Sequence, residues 1–310
     1  MRIIRDYQFV DEADRGASVA IGNFDGVHVG HQSVIDLAQQ ADPAAPLGIL
    51  TFEPHPRSYF SPDAAPFRLM SPAARASRLE KLGVDRLYEL PFNAELAGLT
   101  PEAFARDVLS QGIGARHVVI GADFCFGKGR AGTAADLQRF GAEMGFAVTI
   151  APLLERSDRT VSSTAIRQAL SDGHPQDAAG MLGHWHRIEG PVIGGEQRGR
   201  KLGYPTANMS VDGLHLPAFG VYAVLFDVLE GPHTGSYHGV ASLGVRPMFG
   251  VNTPNLETFV FDFSGDLYGA AVSVALVEHL RGEARFESVE ALIVQMDDDS
   301  AKARCILDGL

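Results

Sequence analysis

The chain carries the segment AIGNFDGVHVGH at residues 20–31, at the end of a short apolar run, Ser18–Ile21. The glycines that follow this run indicate a tight turn, and the apolar spacing of Val29–Gln40 then indicates a helix. A helix N-terminus presents free N–H groups and a partial positive charge, which together bind phosphate. The segment therefore predicts a strand, a glycine-rich turn and a helix that can hold a phosphorylated ligand.

Two histidines, His28 and His31, stand three residues apart at the start of that helix and would point in the same direction. Gly30, between them, would let a ligand approach the backbone closely. Two alternatives remain open: a pair of surface histidines around a turn, and a zinc pair for which no third ligand is visible nearby. The strand–glycine–helix setting favours phosphate chemistry.

The first half of the chain alternates strand-like and helix-like patterns. Further strands are predicted at Leu47–Phe52, Arg86–Leu90, His117–Ile120 and Phe146–Ile150, and further helices at Pro72–Leu82, Pro101–Gln111 and Ala134–Met144. This alternation is typical of an α/β, Rossmann-like domain in which helices cover a parallel sheet. Ligands of such sheets bind beyond the carboxyl ends of the strands, so the residues that follow each strand are candidate site residues.

Three more segments of this half follow strands. The segment FEPHP, residues 52–56, is predicted to be a loop that its two prolines make stiff. The segment GADFCFGKGRAG, residues 121–132, is a basic glycine-rich loop. The segment VSSTAIR, residues 161–167, places hydroxyls and an arginine at the start of a helix. Those hydroxyls could bind phosphate or simply cap the helix. The basic loop contains G-x-G-x-x-G, but it lacks the acidic residue of a dinucleotide-binding fold and has the wrong length for a P-loop. A parallel sheet would bring the three segments together with the histidines.

The composition excludes several classes of protein. Among 310 residues, 38 are acidic and 26 are basic, a formal net charge of −12, so a nucleic-acid-binding protein is not expected. Cys125 and Cys305 are too few for a disulfide framework. No run of eighteen apolar residues occurs, so no membrane span is expected. We expect a cytoplasmic protein that is a monomer or a weak homo-oligomer.

The pattern changes after Trp185. Thr164–Ser171 and Pro175–Gly183 are predicted helices before it, whereas short strands separated by glycine and proline follow it, at Gly220–Val228, Ser236–Leu243, Leu256–Phe263 and Ala271–Leu280. Two helices, Ser288–Asp297 and Ala301–Leu307, are predicted at the end. This rhythm is typical of a small antiparallel β-barrel with terminal helices. We therefore place a domain boundary near residue 185 and expect domains at residues 1–185 and 186–310.

The segment GPVIGGEQRGRKLGYPTAN, residues 190–208, is rich in glycine and cations and could cover a polyphosphate. Near its end, Thr206 and Asn208 are two residues apart, so on an extended chain their side chains point to the same face. A hydroxyl and an amide oxygen suit Mg²⁺ held against phosphates. A polar turn after the proline is the alternative.

Glu257 is the second candidate in this half. By period-two alternation it would share a strand face with Phe259, Phe261 and Phe263. A carboxylate on such a face is costly unless it has a partner or a function, which predicts a general base. The alternative is that Glu257 lies at a strand end and points into solvent.

These motifs occur in a family-specific order. Four motifs of the first half closely resemble the nucleotidyltransferase module of the bacterial bifunctional riboflavin kinase/FAD synthetase family. They are GNFDGVHVGH, FEPHP, GADFCFGKGRAG and SSTAIR. PTAN (residues 205–208) and GVASLGVRP (residues 239–247) resemble its kinase module, a six-stranded antiparallel barrel. The resemblance implies that the C-terminal module makes FMN from riboflavin and ATP with Mg²⁺. It implies that the N-terminal module joins FMN and ATP to give FAD and pyrophosphate.

The resemblance also implies residue roles. His28 and His31 would hold the ATP triphosphate, Arg167 would assist the departure of pyrophosphate, and Phe60 and Phe124 would contact the flavin. The remaining nucleotide- and phosphate-binding residues of the first module would be Asn23, Phe24, Gly26, Gly30, Asp123, Ser162, Ser163 and Thr164. In the second module ATP and Mg²⁺ would be held by Gly199, Lys201, Thr206 and Asn208. Glu257 would take the proton of the ribityl hydroxyl.

Two positions depart from the family pattern, and two other functions remain possible. Met248 stands where the family usually has threonine, and Glu196 stands where aspartate is common. Met248 supports the first alternative, a flavin- and nucleotide-binding protein with one inactive module. The second alternative is a nucleotidyltransferase for another substrate, such as a phosphopantetheine or nicotinamide nucleotide, which would leave the predicted kinase residues without a role.

Overall fold

A computed structural model describes residues 1–152, 161–194, 203–245 and 253–310 in full, and only the backbone of the strand residues 155–156, 159–160, 246–248 and 251–252. The chain divides into two compact units. The first comprises Met1–Ala65 and Arg75–Ser162, and the second comprises Pro66–Ala74 and Ser163–Leu310. None of the helices in this described part is long and apolar enough to cross a membrane.

The first unit is built on a six-stranded parallel sheet of order β1-β4-β3-β2-β5-β8. Its strands, with the short hairpin β6–β7 between them, are β1 (Arg2–Ile4), β2 (Ser18–Ile21), β3 (Leu47–Glu53), β4 (Arg86–Pro91), β5 (His117–Gly121), β6 (Cys125–Phe126), β7 (Gly132–Thr133) and β8 (Ala147–Ala151). All four residues of β2 are buried, as expected for a strand with neighbours on both sides. The predicted parallel sheet is confirmed.

The helices up to residue 152 are α1 (Val29–Ala41), α2 (Pro56–Phe60), α3 (Pro72–Lys81), α4 (Ala94–Gly98), α5 (Pro101–Ala103), which continues as a π-helical segment (Phe104–Gly112), and α6 (Ala134–Met144). Several begin at hydrogen-bonding caps, as the sequence indicates. The Thr100 hydroxyl accepts a hydrogen bond from the Ala103 N–H, and Thr133 and Asp136 form a reciprocal capping box. Leu109, Leu137 and Phe140 from these helices bury the apolar face of the sheet.

The strand order places the candidate site. From β2 the chain passes through α1 to β3 on one side, whereas β5 lies on the other side of β2 and leads on to β8. The connections therefore leave β2 and β5 in opposite directions, which opens a crevice at their carboxyl ends where ligands of such sheets bind. The loops after β2 and after β5 lie beside this crevice.

The second unit contains a six-stranded antiparallel sheet of order β11-β16-β13-β14-β15-β12. The antiparallel pair β9 (Glu155–Arg156) and β10 (Arg159–Thr160) belongs to the first unit. The elements from residue 163 onward are α7 (Ser163–Ser171), α8 (Pro175–Leu182), β11 (His186–Pro191), β12 (Thr206–Ser210), β13 (Gly220–Val228), β14 (Gly235–Met248), β15 (Val251–Val260), β16 (Ala271–Arg281) and α9 (Val289–Leu307). The sheet curls until its edges meet, where the Ile193 N–H donates to the Asn208 carbonyl at 2.8 Å. The predicted small barrel is thus confirmed.

Two details of the elements differ from the sequence predictions. The two predicted terminal helices are one helix, α9, because no glycine or proline interrupts it. The strand predicted to reach Phe263 ends at Val260, since Asp262 adopts a left-handed conformation (φ 54°) that turns the chain. The two compact units divide after Ser162, and the domain boundary near residue 185 stays a prediction. The physical reason is that α7 and α8 bury apolar side chains with the segment Pro66–Ala74, namely Leu69, Ile166, Leu170, Ala178 and Leu182.

The stability of the second unit should depend on pH through His186. Burial lowers the pKa of this histidine to about 3, with a smaller contribution from His184 and His215. Below its ordinary pKa of about 6.5 the unfolded chain takes up a proton that the folded unit does not, so stability falls as pH falls. We expect a loss of about 2 kcal/mol in unfolding free energy between pH 7 and pH 5.

Urea unfolding followed by the fluorescence of Trp185, the single tryptophan of the sequence, measures this loss next to the histidine itself. The variant His186→Gln removes the titrating group and should show a much smaller loss over the same range. Equal losses in both proteins would assign the pH dependence to other groups.

Candidate active sites

The turn between β2 and α1 has an unusual backbone. Phe24 (φ 51°) and Val27 (φ 43°) adopt the left-handed region, as does Gly26 (φ 85°). That region is costly for phenylalanine and for a β-branched valine, so surrounding contacts must hold it. Both side chains are almost completely buried, with 1% and 0% of their surface exposed. Burial of these two residues therefore fixes the shape of the turn.

A buried arginine, Arg75, also stabilises this turn by hydrogen bonding to its backbone. The Asn23 carbonyl accepts hydrogen bonds from Thr51 Oγ1 and from Arg75 Nη1, each at 3.3 Å. Arg75 Nη2 is paired with Glu89 at 3.0 Å and with Glu53 at 3.3 Å. The sequence analysis missed Arg75 because it lies inside a helix, in no motif. Glu53, in the FEPHP segment, was the available signal, since a carboxylate after a buried strand needs a partner.

The two histidines lie together at the N-terminus of α1. His28 caps the helix: its Nδ1 accepts a hydrogen bond from the His31 N–H at 3.3 Å. The two rings stack with their centroids 3.7 Å apart and their planes 15° apart. A Cβ atom at Gly30 would stand 3.2 Å from two ring atoms of His28. Gly30 thus makes room for the His28 ring, a role that the sequence analysis did not foresee.

His31 is electrically neutral at pH 7. Burial of its ring, and then the neighbouring His28, hold its pKa well below the ordinary value of 6.5. Its buried Nδ1 atom has no hydrogen-bond partner among the described residues. A buried polar atom without a protein partner is rare, and a ligand is one explanation for it. His31 can therefore offer hydrogen bonding to a ligand without carrying a charge.

Two predicted residues, Asp123 and Phe124, lie in the loop after β5, beside the crevice. Asp123 is exposed. Phe124 is half-buried and stacks on Phe126, with ring centroids 5.6 Å apart and planes 15° apart. One face of Phe124 is therefore occupied by the protein core, so it is less available to a flavin than the sequence analysis expected.

Phe60 is available to a ligand. It lies at the end of α2 with 67% of its surface exposed. Its ring makes edge contacts with Tyr59 and Phe92, at centroid distances of 5.1 and 5.7 Å. The sequence analysis missed Tyr59 and Phe92, because only the fold places the residues after β3 and β4 side by side. The three rings form an aromatic cluster that can accept a flat apolar group.

The SSTAIR residues are divided between the units. Val161 precedes Ser162 in the first unit, and its carbonyl lies 4.0 Å from the position of a Cβ at Gly30, which brings this part of the chain to the first turn of α1. Ser163, Thr164 and Arg167 belong to α7 of the second unit. There Arg167 Nε donates to the Phe67 carbonyl, and its guanidinium lies 5.3 Å from the Phe67 ring centroid.

The second unit brings Thr206, Asn208 and Glu257 together. Asn208 on β12 stands directly opposite Glu257 on β15, and Thr206 lies two residues before Asn208 on the same face. Asn208 Nδ2 donates to the Thr206 carbonyl at 3.3 Å and lies 3.4 Å from its hydroxyl. Glu257 is only 6% exposed, so the alternative that it points into solvent is wrong. The sequence analysis missed Asn255, whose amide lies within hydrogen-bond distance of both Asn208 and Glu257.

A cavity of about 590 Å³ opens beside this group. It is lined by Thr206 and Asn208 together with Val192, Pro205, Asp266 and Tyr268. The predicted residues Gly199 and Lys201, and Glu196, lie outside the described residues, as does the side chain of Met248.

The donors present fit magnesium better than zinc. No group of three or more His, Cys, Asp or Glu side chains in the described ranges is placed to hold a metal ion. The stacked histidines therefore find no third ligand there, as a catalytic zinc site would require. Thr206 and Asn208 instead offer a hydroxyl and an amide oxygen at a cavity, which are the hard ligands that Mg²⁺ shares with nucleotide phosphates.

Comparison with known proteins agrees with this geometry. A family model described as FAD synthetase matches residues 10–165, and one described as riboflavin kinase matches residues 182–307. A bifunctional riboflavin kinase/FMN adenylyltransferase of Pseudomonas fluorescens is 39% identical over 99% of this chain and 98% of its own. The protein of that description from Escherichia coli (strain K12) is 36% identical over 98% of this chain and 97% of its own.

The fold is also similar to a solved structure over its whole length. A crystal structure titled as a macrolide-efflux protein from Streptococcus pneumoniae matches with a TM-score of 0.84 and 32% identity, covering 98% of each chain. The two family models, the full-length relatives and the two sites built on a parallel-sheet crevice and a curled antiparallel sheet lead to one conclusion. The chain belongs to the bifunctional riboflavin kinase/FMN adenylyltransferase family.

Proposed function

We propose that this protein converts riboflavin to FMN in its C-terminal module, residues 186–310, and FMN to FAD in its N-terminal module, residues 1–185. Each step uses one ATP. The observation that carries the proposal is that each module holds a built site of its own. One is the stacked pair His28 and His31 on a helix N-terminus, and the other is the buried Glu257 opposite Asn208.

In the N-terminal module a phosphate oxygen of FMN attacks the α-phosphorus of ATP. The bond from that phosphorus to the bridging oxygen breaks, and pyrophosphate leaves. Negative charge gathers on the reacting phosphorus and on the leaving group, so oriented donors supply most of the catalysis. We assign these donors to the first turn of α1, His28 and His31, with Ser162 beside them. Asn23 and Asp123 would fix the nucleotide or its metal-bound phosphates. The backbone of the turn, at Phe24, Gly26 and Gly30, gives this group its shape.

The aromatic cluster of Tyr59, Phe60 and Phe92 supports flavin binding at this module. Its exposed ring, Phe60, offers a flat apolar face, and aromatic stacking with a heteroaromatic ring is favourable. Phe124, one face of which is covered by Phe126, contributes an edge at most. The polar phosphate of FMN would then extend toward the histidines.

In the C-terminal module Glu257 accepts the proton of the ribityl hydroxyl while the oxygen attacks the γ-phosphorus of ATP, and ADP leaves. The buried carboxylate of Glu257 faces Asn208, which lines the cavity, and a carboxylate in that position is suited to accept the proton. Thr206 and Asn208 would hold Mg²⁺. When bound, this ion neutralises phosphate charge as a Lewis acid.

The direct test is a product assay. Purified protein with riboflavin, ATP and Mg²⁺ should yield FMN first and FAD later, separated by chromatography. Formation of neither product, with oxidised or reduced flavin and with several divalent metals, would reject the proposal. Flavin binding without turnover would support the alternative of an inactive module. Preference for a phosphopantetheine or nicotinamide nucleotide would support the alternative nucleotidyltransferase.

Reciprocal variants should separate the two activities. His31→Ala removes a donor aimed at developing charge, and the loss of one such donor lowers kcat by about 10²- to 10³-fold. We expect that loss in FAD formation, with FMN formation unchanged. Glu257→Gln removes the proton acceptor and should lower FMN formation by about 10²- to 10⁴-fold while sparing FAD formation. Each variant is the control for the other, and a parallel loss of both activities in either would contradict separate sites.

The pH dependence of FAD formation should show that His31 works as a neutral group. Because its pKa lies well below 6.5, raising the pH above 7 removes no proton from it. We expect the rate to stay within about twofold between pH 7 and pH 8.5. A stopped assay with supplied FMN measures this. A fall of about tenfold per pH unit would instead indicate an imidazolium ion in the working state.

A further inference from the structure

We propose that Asn255 is a positioning residue of the kinase site, because one amide group holds both the proton-accepting carboxylate of Glu257 and the side-chain oxygen of Asn208. The inference rests on the kinase function proposed above. It concerns a residue that belongs to none of the sequence motifs, on the strand that carries Glu257.

The geometry is a three-residue contact across two strands. Asn255 Nδ2 lies 3.0 Å from Glu257 Oε1 and 3.2 Å from Asn208 Oδ1. On β15, Asn255 and Glu257 are two residues apart and share a face. Asn208 faces Glu257 directly from β12, and Asn255 stands opposite Ser210. Asn255 therefore reaches Asn208 along the diagonal between the strands, a distance that a short polar side chain can span.

The surrounding acceptors fix the orientation of both amides. Asn208 directs its nitrogen to the Thr206 carbonyl, which can only accept, so its oxygen is turned toward Asn255. Asn255 then faces two acceptors, that oxygen and the Glu257 carboxylate, and only its NH₂ group can satisfy both. The arrangement is consistent in one orientation alone.

The NH₂ group of Asn255 reduces an electrostatic repulsion between two buried hydrogen-bond acceptors. Asn208 and Glu257 are cross-strand partners and are 8% and 6% exposed, so an amide oxygen and a carboxylate are buried side by side. Two acceptors in that position repel, and burial strengthens the repulsion. The NH₂ group of Asn255 places the partial positive charge of its N–H bonds between them. It thereby fixes the direction of the carboxylate and of the amide oxygen assigned to Mg²⁺.

Three variants test this role in the full-length protein. Asn255→Leu keeps the branched shape and removes the donor, Asn255→Asp keeps the shape and replaces the donor with an acceptor, and Asn255→Ser keeps a donor. A hydrogen bond to a charged group contributes about 1.5–3 kcal/mol, which corresponds to about 10- to 100-fold in rate. We expect that loss in kcat for riboflavin phosphorylation in the Leu and Asp variants, with riboflavin KM changed less than about threefold. Asn255→Ser should regain most of the rate.

Ser210→Ala provides the matched control, since Ser210 is the exposed cross-strand partner of Asn255 and should leave kcat unchanged. Trp185 fluorescence during urea unfolding shows whether each variant keeps a folded second unit. If Asn255→Leu does not fold, the isosteric variant Asn255→Asp provides the test. A wild-type kcat for riboflavin phosphorylation in that variant would overturn the proposal.

A double-mutant cycle separates positioning from a general structural effect. If Asn255 acts through Glu257, then Asn255→Leu should lower kcat by a smaller factor in a Glu257→Gln background than in the wild type, because one of the two groups that it orients is already lost. Full additivity of the two losses would overturn the proposal. If the wild-type protein makes no FMN, the proposed kinase function is rejected. If the wild type is active and kcat is unchanged in the Leu and Asp variants, only the proposed role of Asn255 is rejected.

Discussion

In the proposed adenylyltransferase site, the backbone turn between β2 and α1 is held by buried side chains and by an ion-paired arginine. Phe24 and Val27 lie in the left-handed region, which costs free energy. Their burial offsets that cost, and Arg75 adds a hydrogen bond to the Asn23 carbonyl. A buried arginine requires partners of opposite charge, which explains why Glu89 and Glu53 accompany it. An ion-paired cluster therefore supports the turn that leads to His28 and His31, the two histidines proposed to bind the nucleotide phosphates.

In the proposed kinase site, strand pairing positions the side chains instead of a buried turn. Its functional side chains lie on two antiparallel strands, so register and alternation alone bring Asn208 and Glu257 face to face. Such a pairing of acceptors is unfavourable by itself, and Asn255 compensates for it. Arg75 holds the turn between β2 and α1, and Asn255 bridges β12 and β15. Both arrangements keep polar groups in place where charge is expected to develop.

Motifs at strand ends could be predicted from the sequence, and the residues that support them could not. The GNFDGVHVGH segment gave the strand, turn and helix in nearly their final bounds, because local propensity and the tertiary fold agree there. Alternation predicted that Glu257 shares a strand face with aromatic residues, and the structure shows that it is buried. Arg75, Asn255, Tyr59 and Phe92 were missed, because their neighbours are remote in sequence. The division after Ser162 also depends on such contacts, since only the fold brings Leu69 to α7 and α8.

The acidic character of the chain makes accurately placed hydrogen-bond donors important in both proposed sites. The net charge of −12 provides no overall long-range attraction for ATP and FMN, so attraction of these anions must come from local groups. In the proposed sites these groups include helix N–H groups, His31 and side-chain amides, several of which are uncharged. Uncharged donors act only over hydrogen-bond distances and lose effect steeply when misaligned. Buried positioning groups such as Arg75 and Asn255 follow from that requirement: where charge does not attract the substrate, geometry must hold it.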